Sequence, residues 1–425
     1  MTAFLALPPA REIRGSVRVP ASKSATNRAL VLAALSEVPV FLVHPLDSDD
    51  TRALLRCLVA MGARVAKGED GISVSGPLGI SEGRLTVLDA EDSGTAARFL
   101  AALAAATPGW FQLTGSARLC ERPMGELVAA LQSLGAAIVE KGAPGCLPLE
   151  IRGPSLRPGR VLVDASRSSQ FLSALMLAGA ARGPLEIAAA GLPASAPYAA
   201  LTADSLRSFG HRVEGSGPWS VSRGGPGLER YETPGDFSSA LPLLAAVGVC
   251  GGEVRLTGLE WPSAQADALA LPVLERMGIT VSAARGALRA SAERGGLRAV
   301  TVPASDFPDA VPALAALAAF ADGESRFGGI AHLRWKESDR LTALATVLES
   351  AGAAASAASD SLTVRGPAAG PPGKFATIPT FRDHRIAMAA ALLSLRLPGL
   401  LIEDPDCVSK SYPGFFRDLE RLCRR

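Results

Sequence analysis

Residues 54–65, LLRCLVAMGARV, combine three signals in twelve positions. Leucines at 54, 55 and 58 recur at helical spacing, Gly62 sits where a helix stops, and a β-prone run follows. The same phrase returns as LVAALQSLGAAI (127–138), DSLRSFGHRV (204–213), LPVLERMGITV (271–281) and LATVLESAGAAA (344–355). The stop glycines are 62, 135, 210, 278 and 352, at intervals of 73, 75, 68 and 74 residues. A sixth helix, FFRDLERLCRR (415–425), falls where the next copy is due. Such a regular period marks a repeat architecture.

A second phrase alternates with the first: a polar start, an apolar helix, a Gly/Pro break and a strand. Its copies are residues 22–43, 92–113, 166–187, 235–256, 307–327 and 382–402. The chain therefore reads as six α/β units of about 70 residues, each with two helices and short strands. Their helix starts carry different polar sets: Lys23 and Ser24; Ser93 to Thr95; Ser168 to Gln170; Asp236 to Ser239; Asp309; and His384 with Arg385. A structural repeat needs only a cap at each start. Lys23, Ser24 and Arg28 instead crowd the positive end of a helix dipole, where cations are unfavourable unless an anion binds there. If the six helices converge, their N-termini line one anion-attracting cleft.

Composition narrows the class. The chain is 48% hydrophobic and 20% charged with a net charge of +2, which fits a globular protein and gives no footprint for nucleic acid. No window is apolar for the length of a membrane span, and the N-terminus lacks the basic start and apolar stretch of a signal peptide. The six cysteines form no CxxC pair and the four histidines show no ligand spacing, so the expectation is a cytoplasmic protein without a metal. Only six lysines stand against thirty-seven arginines. Where Arg is the default cation, a lysine marks a place needing a compact ammonium. Lys23, Lys336 and Lys410 fall in motifs; Lys67, Lys141 and Lys374 lie near Gly-rich turns and read as solvated.

The motifs GSVRVPASKSATNRAL (15–30), DSGTAARFLAAL (92–103), ERPMGELVAALQSLGA (121–136), SSQFLSALMLAG (168–179), WKESDRL (335–341), RDHRIAMAAALL (382–393) and CVSKSYPGFF (407–416) run end to end along the chain. In this order and spacing they resemble the 5-enolpyruvylshikimate-3-phosphate synthase family. The resemblance implies a two-domain, inside-out α/β barrel of six βαβαββ repeats with helix N-termini facing an interdomain cleft. Residues 1–19 with 234–425 would form one domain and residues 20–233 the other, hinged at the proline-bearing crossings near Pro20 and ETPGD (232–236). The implied reaction transfers the enolpyruvyl group of phosphoenolpyruvate to the 5-hydroxyl of shikimate 3-phosphate, in a monomer that uses no cofactor.

By the same resemblance, Lys23, Gly94, Arg122, Gln170, Arg340, Arg385 and Lys410 contact phosphoenolpyruvate. Lys23, Ser24, Arg28, Ser168, Ser169, Gln170, Ser195, Asp309, His332 and Lys336 bind shikimate 3-phosphate. Asp309 takes the proton of the attacking hydroxyl, Glu337 delivers one to the methylene carbon, and Lys23 shares the catalytic role. Taken singly, these residues have plainer readings. Ser168 and Ser169 can be a cap, Asp309 a dipole-matching charge, Arg122 a surface arginine, and WKESDR a solvated face with Lys336 paired to Asp339 or set beside Arg340.

Three positions depart from the family pattern: Asp92 for a usual Asn, Ala196 for a usual basic residue, and His332 for a usual Asn. Asp92 is expected to cap its helix as Asn does and to weaken binding of phosphoenolpyruvate and of its competitor glyphosate. The rival readings are an enolpyruvyl transferase acting on UDP-N-acetylglucosamine and a non-catalytic repeat scaffold. Against the first, Ala117 stands where that family carries cysteine, and Cys120 reads as incidental. Against the second, a scaffold does not need acids and bases confined to helix starts.

Overall fold

The computed structural model describes residues 3–424 apart from 81, 82, 225, 226, 285 and 372. The chain divides into two compact units, Met1–Pro20 with Pro234–Arg425 and the inserted Ala21–Thr233. Pro20 thus belongs with the terminal unit and not, as expected, with the inserted one, and its carbonyl accepts the Asp236 N–H at 2.9 Å. Each unit has its own apolar core.

One repeat shows the plan. Strand Leu85–Asp89 leads into helix Gly94–Ala106, which returns as strand Gly109–Thr114, parallel to the first. After helix Gly125–Ser133, the hairpin of Ala137–Glu140 and Leu149–Gly153 adds to the far side of Gly109–Thr114. The alanine-rich helix is buried all round, because the sheet covers one side and the unit's other helices the rest. Among the described residues there are six sheets, three in each unit. The repeats are not self-contained. Strand Arg230–Glu232 pairs parallel with Val40–Val43, so the first sheet of the inserted unit takes its opening strand from the unit's end. Likewise Glu12–Arg18 opens the sheet of Gly252–Thr257 in the terminal unit. The sixth repeat departs from βαβαββ: beside Leu400–Glu403 it has strand Phe4–Ala6 where the others place a hairpin.

The six central helices are Lys23–Leu35, Gly94–Ala106, Gln170–Arg182, Phe237–Cys250, Val311–Ala318 and His384–Ser394. None carries an acidic residue in its first turn, although peripheral helices do, such as Asp49–Ala60 with Asp49 and Asp50. In the inserted unit, where serines stand at the three cap positions, the positive ends are left for other anions, whereas Asp236 and Asp383 cap two of the helices in the terminal unit. Asp309 stands in the turn before its helix, two residues ahead of Val311. Among the described residues no helix is long and apolar enough to cross a membrane.

The repeat-marking glycines do what their spacing predicts. All five have positive φ, and at Gly352 (φ +79°) an added Cβ would lie 2.0 Å from the Gly370 carbonyl oxygen. Gly352→Ala should therefore destabilise the chain by more than about 2 kcal/mol, whereas Gly295→Ala should cost only about 1 kcal/mol. Gly295 has φ +88° but nothing within 4 Å of its Cβ position. Urea unfolding of both variants checks the ranking, and equal losses would refute the steric account.

Candidate active site

In the inserted unit the expected residues gather at the starts of three central helices. Ser22 caps the first by accepting the Ala25 N–H, which puts Lys23 at the first helical position. A cation there opposes the dipole, and the structure supplies a counter-charge: Lys23 Nζ lies 3.0 Å from Asp50 Oδ2, with Asp50 buried. Ser24 lends its carbonyl to Arg28 Nη1 at 2.9 Å. Arg28 also donates Nε to Thr202 Oγ1 at 2.8 Å and Nη2 to Ser173 Oγ and the Tyr198 carbonyl, both at 3.1 Å. Burial lowers its pKa to about 10, so it keeps its charge at neutral pH. Arg28 ties the first and third central helices to helix Pro197–Ser208.

At the second helix, Ser93 and not Asp92 is the cap, accepting the Ala96 N–H. Asp92 is exposed and accepts a hydrogen bond from the Ser116 hydroxyl, a partner the sequence does not reveal. Arg122 is buried rather than superficial, and its guanidinium nitrogens lie 2.6 Å from where a Gly94 Cβ would stand. A side chain at position 94 would displace the guanidinium from this place, so glycine lets the helix start and the cation meet closely. Arg98 holds the arrangement, donating Nη1 to the Gly94 carbonyl at 3.2 Å and Nη2 to the Pro123 carbonyl at 2.7 Å. At the third helix the Ser168 hydroxyl accepts the Gln170 N–H, and Gln170 Nε2 donates to Thr95 Oγ1 at 3.1 Å. Ser169 is buried at the cap position but makes no side-chain cap bond. Ser195, also buried, adopts φ +56°, a left-handed conformation uncommon for serine and most often found at functional or strained sites. Ala196 gives the next helix no side-chain cap.

The terminal unit centres on Arg340, the first residue of helix Arg340–Ser350, whose side chain is 1% exposed. Nη1 donates to Asp309 Oδ1 at 2.7 Å and Nη2 to Glu337 Oε2 at 2.9 Å. Nε and Nη2 grip Asp383 Oδ2 and Oδ1 at 2.8 and 3.3 Å. Within WKESDR, Trp335 is exposed and Lys336, Glu337 and Asp339 are partly buried, but Ser338 and Arg340 are buried, so the segment is not the solvated face of the plainer reading. Asp339 pairs with Arg334 at 2.6 Å and caps the helix. Asp383 is fully buried, accepting also from Ser338 Oγ and the Arg385 N–H, whereas Asp309 and Glu337 keep 20% and 13% of their side chains exposed. Asp383 therefore serves as the anchor, and the other two acids remain reachable. Arg385 donates Nη1 to the Ser238 carbonyl at 2.7 Å, and its Nη2 lies 3.9 Å from both Asp236 and Asp309. Lys336 follows the turn Ala331–Trp335; buried Lys410 ends the turn Pro405–Lys410, which packs on helix His384–Ser394.

Electrostatics in this cluster oppose desolvation. Burial alone would push the Asp309 carboxyl up, but Arg340, Lys336 and Arg385 outweigh it and hold the group well below the usual carboxylate range. His332 is driven the other way for a histidine: burial first, then the Lys336 charge, lowers its pKa to about 3, so the imidazole is neutral at pH 7. Sequence reasoning missed Asp50, Arg98 and Asp267, and read Asp383 only as part of a motif. Their signals were weak, since acids and arginines are common at exposed helix ends.

The His332 shift has a stability consequence with a definite sign. Between about pH 3 and 6.5 the unfolded chain binds a proton that the folded chain refuses, so this group weakens folding as pH falls through that window. His332→Asn should remove about 1.4 kcal/mol per pH unit of that dependence. Urea unfolding at pH 7, 5.5 and 4.5 measures it; parallel pH profiles for the two proteins would show that His332 is not held neutral.

Comparison with known proteins fits these observations. Residues 8–419 match the family model described as EPSP synthase (3-phosphoshikimate 1-carboxyvinyltransferase). The 3-phosphoshikimate 1-carboxyvinyltransferase of Thermococcus kodakarensis is 42% identical over 416 residues, covering 97% of this chain and 98% of its own length. That of Nitrosomonas europaea is 38% identical over 426 residues, covering 97% of each chain. Among solved structures, EPSP synthase from Acinetobacter baumannii superposes with a TM-score of 0.80 at 26% identity, over 100% of this chain and 98% of that one. The enolpyruvyl transferase NikO from Streptomyces tendae, 21% identical with a TM-score of 0.78 over 99% and 97% of the two chains, shares the fold. A buried arginine holding two reachable acids, on a six-sheet α/β framework matched along nearly its whole length, leads to one conclusion: the chain belongs to the EPSP synthase family.

Proposed function

We propose that the protein transfers the enolpyruvyl group of phosphoenolpyruvate to the 5-hydroxyl of shikimate 3-phosphate and releases phosphate, as a step in aromatic amino acid biosynthesis. The observation that carries this reading is the pair of acids on one guanidinium: Asp309 and Glu337 on Nη1 and Nη2 of buried Arg340. The reaction needs one group to protonate the methylene carbon and another to take the hydroxyl proton while the adjacent carbon is attacked. In this reading Glu337 is the acid and Asp309 the base. In the inserted unit, Lys23, Gly94, Arg122 and Gln170 bind phosphoenolpyruvate; Lys23, Ser24, Arg28, Ser168, Ser169, Gln170 and Ser195 bind shikimate 3-phosphate. In the terminal unit, Arg340, Arg385 and Lys410 take phosphoenolpyruvate, and Asp309, His332 and Lys336 take shikimate 3-phosphate. The six free thiols favour a reducing compartment, the cytoplasm.

The charges also give a reason for substrate-dependent activation. Without substrate, three cations hold Asp309 strongly ionised and weakly basic. Phosphate and carboxylate groups arriving at Lys336, Arg340 and Arg385 offset those cations, and the basicity of Asp309 rises only when there is a hydroxyl to deprotonate.

The test is phosphate release from the two substrates. Asp309→Asn and Glu337→Gln should each lower kcat by about 10² to 10⁴ while changing the Michaelis constants little. A variant that raises only KM would make its residue a binding group.

Asp92 bears on affinity. Because its carboxylate is exposed and already engaged with Ser116, its repulsion of a bound anion is screened. Asp92→Asn should tighten phosphoenolpyruvate and glyphosate together by about 2- to 5-fold, leaving KM for shikimate 3-phosphate unchanged. Steady-state inhibition measures this, and no change in either anion would mean that Asp92 does not face the phosphoenolpyruvate site.

A further inference from the structure

The terminal unit buries an acid that the roles above leave unused. Asp267, in the turn Ala266–Ala270, is 1% exposed and accepts a hydrogen bond from the Ser238 hydroxyl through Oδ2; Oδ1 has no partner among the described residues. A buried carboxyl with one oxygen unpaired is costly, and its position needs a reason. Its neighbourhood supplies one. Two residues earlier, Gln265 brackets the start of helix Phe237–Cys250, accepting the Phe237 N–H at 3.0 Å and donating Nε2 to the Gly235 carbonyl at 2.7 Å. Asp267 grips the same first turn one residue further along, at the Ser238 side chain. The carbonyl of that same Ser238 receives Arg385 Nη1 at 2.7 Å.

We infer that Asp267 is a positioning residue for Arg385: through the Ser238 hydroxyl it fixes the helix turn whose carbonyl aims that guanidinium. The chain of contacts is Asp267, Ser238, Arg385, with Asp236 and Asp309 each 3.9 Å from Arg385 Nη2. Arg385 Nε has no hydrogen-bond partner among the described residues, so the hydrogen bond from Nη1 to the Ser238 carbonyl, beside the longer ion pairs to Asp236 and Asp309, sets its direction. Burial, then the charge of Asp309, pushes the Asp267 carboxyl up to about 7 against the Ser238 bond and the Arg385 charge. At neutral pH its contribution is therefore less a full counter-charge than a hydrogen bond, which an amide can also make.

This inference rests on the reading that Arg385 binds phosphoenolpyruvate, and the experiment separates the two. Steady-state kinetics on Asp267→Ala and Ser238→Ala should show KM for phosphoenolpyruvate raised about 10-fold, with kcat within about 3-fold and KM for shikimate 3-phosphate unchanged. Asp267→Asn should return KM to within about 2-fold of the wild-type value. Arg385→Lys is the reference: if it leaves KM for phosphoenolpyruvate unchanged, the role of Arg385 is wrong. If Arg385→Lys raises KM but Ser238→Ala does not, Asp267 does not act through Ser238 and the inference falls. Failure of Asn to rescue would also overturn it, by making charge and not the hydrogen bond the active element. Should Asp267→Ala not fold, Ser238→Ala carries the same test.

Discussion

One guanidinium sets the chemistry of the terminal unit. Arg340 has been taken almost wholly out of water, at a helix N-terminus whose dipole also disfavours a cation. Desolvating a charge costs several kcal/mol unless geometry returns it. Here the return comes from Asp383, fully buried and bonded through both oxygens to Nε and Nη2, with Asp309 and Glu337 completing the shell. Because a guanidinium is planar and its donors are rigid, two acids on its two Nη atoms are held in a fixed relation to each other. Lysine at this position could supply the charge but not that relation.

The same trade appears elsewhere. The central helices are rich in alanine, leucine and valine, and polar chemistry gathers toward their starts. Each start meets its own difficulty. Lys23 needs Asp50; Gly94 must lack a side chain so that Arg122 can sit against it; Arg385 needs the Ser238 carbonyl and the acids around it. Some of these partners come from peripheral helices and the turns before them: Asp50 from the first turn of Asp49–Ala60, and Arg122 from the turn before Gly125–Ser133.

Much of this was legible beforehand. Gly62 and Gly352 announced the helix stops because a left-handed residue after a helix is a local requirement, settled within a few positions of the chain. The six polar starts stood out against apolar helices for the same reason. Asp92 misled: its place before Gly94 suggested a cap facing an anion, yet Ser93 caps and Asp92 turns to Ser116, 24 residues away. Arg122 and the WKESDR segment read singly as surface features, because nothing local distinguishes a buried cation from a solvated one.

What the sequence determined by itself is the period, the helix and strand elements of each unit, and the polar identity of every central helix start. These follow from interactions between residues a few positions apart. What only the tertiary structure decided is which charges meet and which strands close each sheet. Asp309 and Asp383 reach Arg340 from 31 and 43 residues away, and Arg230–Glu232 completes a sheet begun at Val40–Val43. Such pairings depend on how sheets and helices pack in three dimensions. The cost of burying an unpaired charge then selects, among many carboxylates in the chain, the few that can stand beside each cation.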